Sequence, residues 1–210
     1  MLNFIILAVF FISAIFHTLA GFGFPLISTS VLFTILPPKT AILLTLIPTF
    51  FMNVASIYTF VKFKEIIEIF KKYAVLFIFS AFGSYIGSHI LIAFPSGIYK
   101  LLLSVMVIVL AILILELNLS KGMAIAVMNL CFLTNKISQI STFAAFGEFG
   151  SKEILFGAIS VAVCFAALFI ANKFKDRVSD ELFKKLVKLT LIFFAIFILV
   201  QYFLEILKWL

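Results

Sequence analysis

Long charge-free runs alternate along this chain with short charged connectors, and most of the runs are long enough to cross a bilayer. Leu2–Leu36 carries no formal charge and is interrupted by Gly21-Phe22-Gly23-Phe24-Pro25. Pro37-Pro38-Lys39 forms a turn, and Thr40–Val61 is the second apolar run. In the connector that follows, Phe63, Ile66, Ile67 and Phe70 recur at helical spacing among Lys62, Lys64, Glu65, Glu68, Lys71 and Lys72. That spacing predicts an amphipathic interfacial helix. Tyr73–Phe94 is the third run, Pro95-Ser96-Gly97 a turn and Ile98–Leu115 the fourth run, before a polar connector from Glu116 to Lys121.

Gly122–Thr134 is too short to cross about 30 Å of hydrocarbon by itself. Asn135-Lys136-Ile137-Ser138-Gln139 interrupts the apolar pattern and Ile140–Phe146 resumes it, which predicts a second broken helix. Glu148–Glu153 reads as a loop, Ile154–Asn172 as a span, and Lys173 to Lys188 as the most charged connector. Leu189–Leu204 is the last span, with Lys208-Trp209 as an interface anchor. The two Lys-rich connectors should both be cytoplasmic. Seven crossings satisfy that constraint when each broken helix counts as one, with the N-terminus inside and the C-terminus outside; the alternative is that a broken helix is a re-entrant hairpin. The expected fold class is an all-α polytopic transmembrane helical bundle.

Composition narrows the class further. The 210 residues are 65% hydrophobic and 12% charged, against about 45–50% and about 25% in soluble domains. No room remains for a soluble domain beside the helices. The formal charge of +7 sits in connectors, so it points to anionic lipid and the cytoplasmic face, not to nucleic acid. Cys131 and Cys164 lie inside apolar runs with no CxxC or His/Cys cluster, which argues against a disulfide or a metal site. Thr18-Leu19-Ala20 superficially offers a cleavage site, but the N-terminus lacks a basic n-region and the apolar run continues, so the segment is expected to be retained. The expected location is the cytoplasmic (inner) membrane.

Tyr73–Leu102 and Gly157–Leu186 can be aligned. Gly83 falls on Ala167, Gly87 on Ala171, Tyr99 on Phe183 and Lys100 on Lys184. The small pairs four residues apart suggest close helix-packing faces. A broken helix precedes each copy, and paired interruptions in two halves point to a transporter site near the midplane. The expected division is into inverted pseudo-repeats, residues 1–118 and a shorter 119–210.

Gly21-Phe22-Gly23-Phe24-Pro25 and Leu36-Pro37-Pro38-Lys39-Thr40-Ala41 resemble the glycine-rich break and the "P-P-x-x-A" helix entry of the TauE/SafE sulfite exporter family. The resemblance covers most of the chain through short motifs. It departs in the second half, where Asn135–Gln139 stands in place of a second Gly-rich break and no counterpart of Thr40–Val61 is evident. The resemblance implies a secondary carrier, usually outward, of small sulfur oxyanions or organosulfonates.

Lys136 is the sharpest candidate for chemistry. A cation at a membrane helix centre costs about 2.5–3.5 kcal/mol on insertion scales. It therefore either faces a cavity and attracts an anion, with Asn135, Ser138 and Gln139 as donors, or snorkels to the interface. Helix N-termini at Pro25 and Gln139 would add partial positive charge. His17 lies one turn before Gly21 and could relay a proton, bind an anion or join helices. His89, near the end of its span, has the stronger structural reading. Gly21 and Gly23 shape the break. Asn53, with Thr45, Pro48 and Thr49 on earlier turns, and Ser28, Thr29 and Ser30 after the break, could line a path or merely join helices. Ser80 and Ser84 share a face with Gly87, where packing is expected.

No paired carboxylates, no nucleophile with a base and no P-loop occur within the spans, so neither catalysis nor a cofactor is expected. The function expected is alternating-access transport of a small anion, with the lipid bilayer as partner, no nucleic acid, and room for a homo-oligomer. The alternative is a non-transporting membrane scaffold or assembly subunit, and an intramembrane enzyme is weaker still.

Overall fold

A computed structural model describes residues 1–21, 23–93, 121–174 and 177–207. The sequence features at Phe22, Phe94–Ser120 (the Pro95–Gly97 turn, the Ile98–Leu115 run, and Tyr99 and Lys100 of the repeat), Lys175, Asp176 and Lys208-Trp209 lie outside the described residues. The described residues form an all-helical bundle: α1 Leu2–Ala20, α2 Phe24–Leu32, α3 Pro38–Phe60, α4 Phe63–Lys72, α5 Ala74–Ala93, α6 Lys121–Ala145, α7 Ser151–Ala171 and α8 Asp180–Leu207. Among the described residues, five helices are long and apolar enough to cross a membrane: α1, α3, α5, Gly122–Ala145 within α6, and α7.

The first interruption is a reversal. Gly21 (φ 74°) ends α1 in the left-handed region, Gly23 (φ 108°) precedes α2, and Pro25 sits in the first turn of α2. Glycine past one helix end and proline just inside the next are stop and start signals. The ring of Phe24 packs 5.6 Å from that of Phe10. Fourteen residues of continuing helix would separate these positions by about 21 Å, so α2 turns back along α1. Of the two sequence readings of Leu2–Leu36, the single broken crossing is corrected and the hairpin holds: α1 ends at Ala20 and α2, starting at Phe24, runs back along it.

Cross-helix contacts give the directions. Ser56 Oγ donates to the Gly21 carbonyl at 3.3 Å, and Thr29 Oγ1 donates to Thr45 Oγ1 at 3.4 Å. Thus α2 runs antiparallel to α3. His17 lies against the backbone of Met52, and Ile6 and Phe10 share a core with Ala41 and Met52, so α1 runs parallel to α3. A Cβ on Gly122 would lie 3.8 Å from the Phe60 carbonyl, and Leu43 and Leu46 share a core with Phe143. Hence α6 is antiparallel to α3. Ser80 pairs with Asn135, and Leu91 shares a core with Phe143, which makes α5 parallel to α6. Gly157 abuts Ile47, and Lys39 Nζ forms an ion pair of 2.6 Å with Glu148 just before α7, so α7 parallels α3. The ends of α3 and α7 therefore carry both Lys-rich connectors on one face of the bundle. The start of α1 lies on the opposite face, with Lys39. This corrects the expected N-terminus on the Lys-rich side, and the hairpin is the reason.

The second expected interruption is absent. Residues 135–139 lie within α6, a continuous helix of 25 residues, so there is no helix N-terminus at Gln139. The polar residues there do not break the helix, because they find partners without leaving it. Ser80 Oγ donates to Asn135 Oδ1 at 2.7 Å, Ser138 Oγ to the Ala81 carbonyl at 3.0 Å, and Lys136 Nζ to Gln139 Oε1 at 2.7 Å.

Other expectations hold with small shifts. Pro37 precedes α3 and Pro38 is its first residue. α4 is amphipathic, with Ile69 buried against Ile57 and Phe77 while Phe63, Ile67 and Phe70 stay exposed. Glu65 accepts from the Lys62 N–H in its first turn, and Lys71 and Lys72 occupy its last turn, both matching the helix dipole. The aligned helices α5 and α7 do point in opposite directions. Their small pairs differ, however: Ala167 and Ala171 are buried, whereas Gly83 and Gly87 are exposed and a Cβ on either would meet nothing within 4 Å among the described residues. The close-packing face expected at Gly83/Gly87 is therefore corrected.

Gly21 and Gly83 should respond oppositely to the same substitution. At Gly21 a Cβ would clash with the Ile125 side chain on a backbone of φ 74°. Gly21→Ala should cost about 2–4 kcal/mol, combining left-handed strain with overpacking. Gly83→Ala, in an exposed helical position, should be neutral or gain up to about 1 kcal/mol. Melting midpoints in detergent check both; equal midpoints for the two variants would contradict the reversal.

Candidate functional site

The reversal creates a problem that the neighbouring helices solve. A helix end inside a membrane leaves carbonyls without partners, and unsatisfied backbone groups there cost several kcal/mol. The Gly21 carbonyl accepts from Ser56 Oγ of α3 at 3.3 Å and from Asn129 Nδ2 of α6 at 2.5 Å. Asn129 Nδ2 also donates to the Ile125 carbonyl at 2.8 Å. Both acceptors are carbonyls, which fixes the amide with Nδ2 toward them and Oδ1 away. At the start of α2 the Phe24 N–H donates to His17 Nδ1 at 3.3 Å. That bond requires a lone pair on Nδ1, so the neutral imidazole carries its proton on Nε2.

Around this junction lies a set of buried polar atoms that have no hydrogen-bond partner among the described residues. They are Ser13 Oγ and His17 Nε2 on α1 (the latter beside the Met52 backbone but outside hydrogen-bond geometry), Ser30 Oγ on α2, Thr49 Oγ1 and both amide atoms of Asn53 on α3, and Asn129 Oδ1 on α6. His17 is 1% exposed and the other five residues 0%. Leaving a buried polar group unpaired costs about 1–3 kcal/mol, and native structures hold few such groups. Here they come from four elements that meet behind one hairpin. Ser13 and His17 are one turn apart on α1, and Thr49, Asn53 and Ser56 share a face of α3.

The sequence-predicted residues divide into two groups. His17, Gly21, Gly23 and Asn53 belong to this junction. Ser28 is buried beside it, but its hydroxyl is used locally, donating to the Phe24 carbonyl at 2.6 Å. Asn135 instead faces α5, where Ser80 donates to its Oδ1 and Ser84 to its carbonyl. Lys136 is 9% exposed and donates to Gln139. It follows Ile125 and Asn129, which meet Gly21, by eleven and seven residues, and so shares their face of α6. The antiparallel register puts it opposite the stretch of α3 around Thr49, about 10 Å along α6 from Asn129.

Sequence reasoning missed Ser13, Ser56 and Asn129. Asn129 was detectable: it is the polar residue seven positions before Lys136, on the same helix face, inside a run otherwise read as apolar. His89, outside the junction, is sandwiched between the rings of Tyr85 and Phe146. Cys131 and Cys164 lie in different interfaces, the former donating to Ser80 Oγ at 3.0 Å. Among the described residues, no three His, Cys, Asp or Glu side chains gather as a metal site would require.

A bundle of membrane-length helices around a buried polar junction defines an integral membrane protein of the polytopic helical class. A family model described as Sulfite exporter TauE/SafE matches residues 5–123, more than half of the chain. The protein belongs to the TauE/SafE sulfite exporter family, a family of membrane transporters. No curated protein and no solved structure matches the chain. The matched region contains Ser13, His17, Gly21, Gly23, Ser30, Thr49 and Asn53, while Asn129 and Lys136 lie beyond it.

If the unpartnered atoms serve a solute and not the fold, removing them should not weaken the fold. Asn53→Leu replaces two unpaired buried groups with an apolar side chain of similar size and should raise stability by about 1 kcal/mol or more. Its melting midpoint in detergent should rise while solute flux falls. A lowered midpoint with intact flux would assign Asn53 a structural role.

Proposed function

We propose that this protein is a secondary carrier of small oxyanions, such as sulfite or organosulfonates, working by alternating access across the cytoplasmic membrane in the outward direction. The observation that carries the reading is the set of unpartnered buried donors around the hairpin, within a chain of the sulfite exporter family. His17 Nε2–H, the Asn53 amide and the hydroxyls of Ser13, Ser30 and Thr49 are the groups that hold the anion's oxygens. Lys136 supplies the charge from the facing side of α6. Gly21 and Gly23 let the hairpin turn close to the site. Asn135, Gln139 and Ser28 support it indirectly, through the α5–α6 contact, the Lys136 ammonium and the first turn of α2.

Both Lys-rich connectors share one face of the bundle, and that face is the cytoplasmic one under the positive-inside rule. The division into inverted repeats, 1–118 and 119–210, is retained as part of the proposal, supported by the opposite directions of α5 and α7. In this scheme only the first repeat contains an interrupted segment, and α6 supplies a continuous wall opposite it. The chemistry is non-covalent: the oxyanion exchanges its water for fixed donors, and the conformational change carries it across.

Uptake of labelled sulfite into proteoliposomes, with sulfonates, sulfate and carboxylates as competitors, tests the reading. Wild type should show saturable uptake, and Lys136→Met should lose most of it while keeping its membrane abundance. Absence of flux in wild type under every imposed gradient would remove the carrier reading. Unchanged flux in Lys136→Met would remove Lys136 from the path.

A further inference from the structure

The unpartnered groups differ in kind, and that difference constrains the solute. Ser13, Ser30 and Thr49 hydroxyls can donate or accept, and His17 Nε2–H and Asn53 Nδ2 donate. Two of the atoms are carbonyl oxygens that can only accept: Asn53 Oδ1 and Asn129 Oδ1. Both residues are 0% exposed. The Asn129 amide cannot flip to change this, because its Nδ2 is held by the Gly21 and Ile125 carbonyls. A fully deprotonated oxyanion offers these two oxygens no hydrogen. It would instead bring its own negative oxygens toward them, which is unfavourable in a low-dielectric interior.

Charge gives a second, independent constraint. Lys136 is the cation on the α6 face that meets the hairpin, and its hydrogen bond goes to a neutral amide oxygen, Gln139 Oε1. Among the described residues, the ion pair joins Lys39 and Glu148 and leaves Lys136 without a carboxylate. The bond from the Phe24 N–H holds His17 Nδ1 as an acceptor, so His17 adds no charge in this arrangement. One buried positive charge balances one negative charge, and a second would stay unpaired at a cost of several kcal/mol.

We propose that the transported species is a singly charged oxyanion that carries its own hydrogen-bond donor, an O–H on the anion or on its organic part. The protonated monoanion of sulfite and hydroxyalkanesulfonates satisfy this description; sulfate, the sulfite dianion and simple alkanesulfonates do not. This inference rests on the anion-carrier reading and sharpens it.

Four probes on the purified wild-type protein separate the outcomes: sulfite, 2-hydroxyethanesulfonate, methanesulfonate and sulfate. Each is titrated by ligand-induced thermal stabilisation from about pH 6 to about pH 9, a range that brackets the second dissociation of sulfite. Hydroxyethanesulfonate is a monoanion with an O–H at every pH used, so any change in its affinity reports the titration of the protein, and the pH dependence of sulfite is read relative to it. Apparent affinity for total sulfite should fall about tenfold per pH unit once the dianion predominates, because only the remaining monoanion binds. Methanesulfonate should bind about tenfold or more weakly than hydroxyethanesulfonate, since it leaves the acceptors unpaired. Sulfate should give no stabilisation. Sulfite affinity that stays constant with pH, or sulfate binding as tight as sulfite, would overturn the inference and leave anion transport standing. Failure of all four to bind would overturn the carrier reading beneath it.

Discussion

The Gly21 carbonyl is the point on which this structure turns. A chain that reverses within a membrane must satisfy the backbone groups it frees, and no lipid can do so. Here one oxygen is held by Ser56 from α3 and Asn129 from α6. These bonds place the α1–α2 hairpin against two helices that are themselves antiparallel. The absence of a side chain at Gly21 is equally necessary, since Ile125 occupies the space a Cβ would need. Once the hairpin is pinned, Ser13, His17 and Ser30 lie in the interior with Thr49 and Asn53 of α3, all with polar atoms that the protein does not pair.

The two interruptions in the apolar pattern look alike in sequence and differ physically. Gly21 and Gly23 remove the steric bar to left-handed backbone, and Pro25 favours starting a new helix. Asn135 to Gln139 contains no residue that disfavours helix so strongly. Its polar side chains weaken the apolar pattern, but α5 offers Ser80, Ser84 and the Ala81 carbonyl as partners along the shared face. Polarity alone therefore does not end a membrane helix. Backbone freedom does, and the bundle becomes asymmetric, with a hairpin on one side and a continuous α6 on the other.

Much of the fold was legible in the charge-free runs. The limits of α1, α3, α4, α5 and α7 lie within a few residues of those expected, because burial in lipid imposes length and apolarity together. The direction of α2 was harder to read. The Gly and Pro signals were noticed as a break, but their order, glycine closing one helix and proline opening the next, also marks a turn back. Of the expected site residues, His17, Gly21, Gly23 and Asn53 converge on the junction. Asn135 lies against α5 instead, which the sequence did not reveal because its partner, Ser80, is distant along the chain and reads as a packing residue. Asn129 was overlooked because a lone amide in an apolar run gives no hint of the carbonyl it will cap.

The central claim is that the unpartnered buried atoms around the hairpin receive an anion, and His17 offers the most direct view of it. The chain has two histidines, so nitrogen-15 labelling of histidine in the bilayer-reconstituted protein, with a His89→Phe variant for assignment, isolates the His17 resonances. On titration with sulfite at a pH where the monoanion predominates, the Nε2–H signal should shift as it gains an acceptor, while Nδ1 remains unprotonated and bonded to the Phe24 N–H. A His17 spectrum unchanged at anion concentrations that saturate transport would contradict the account, and would move the binding site away from the hairpin.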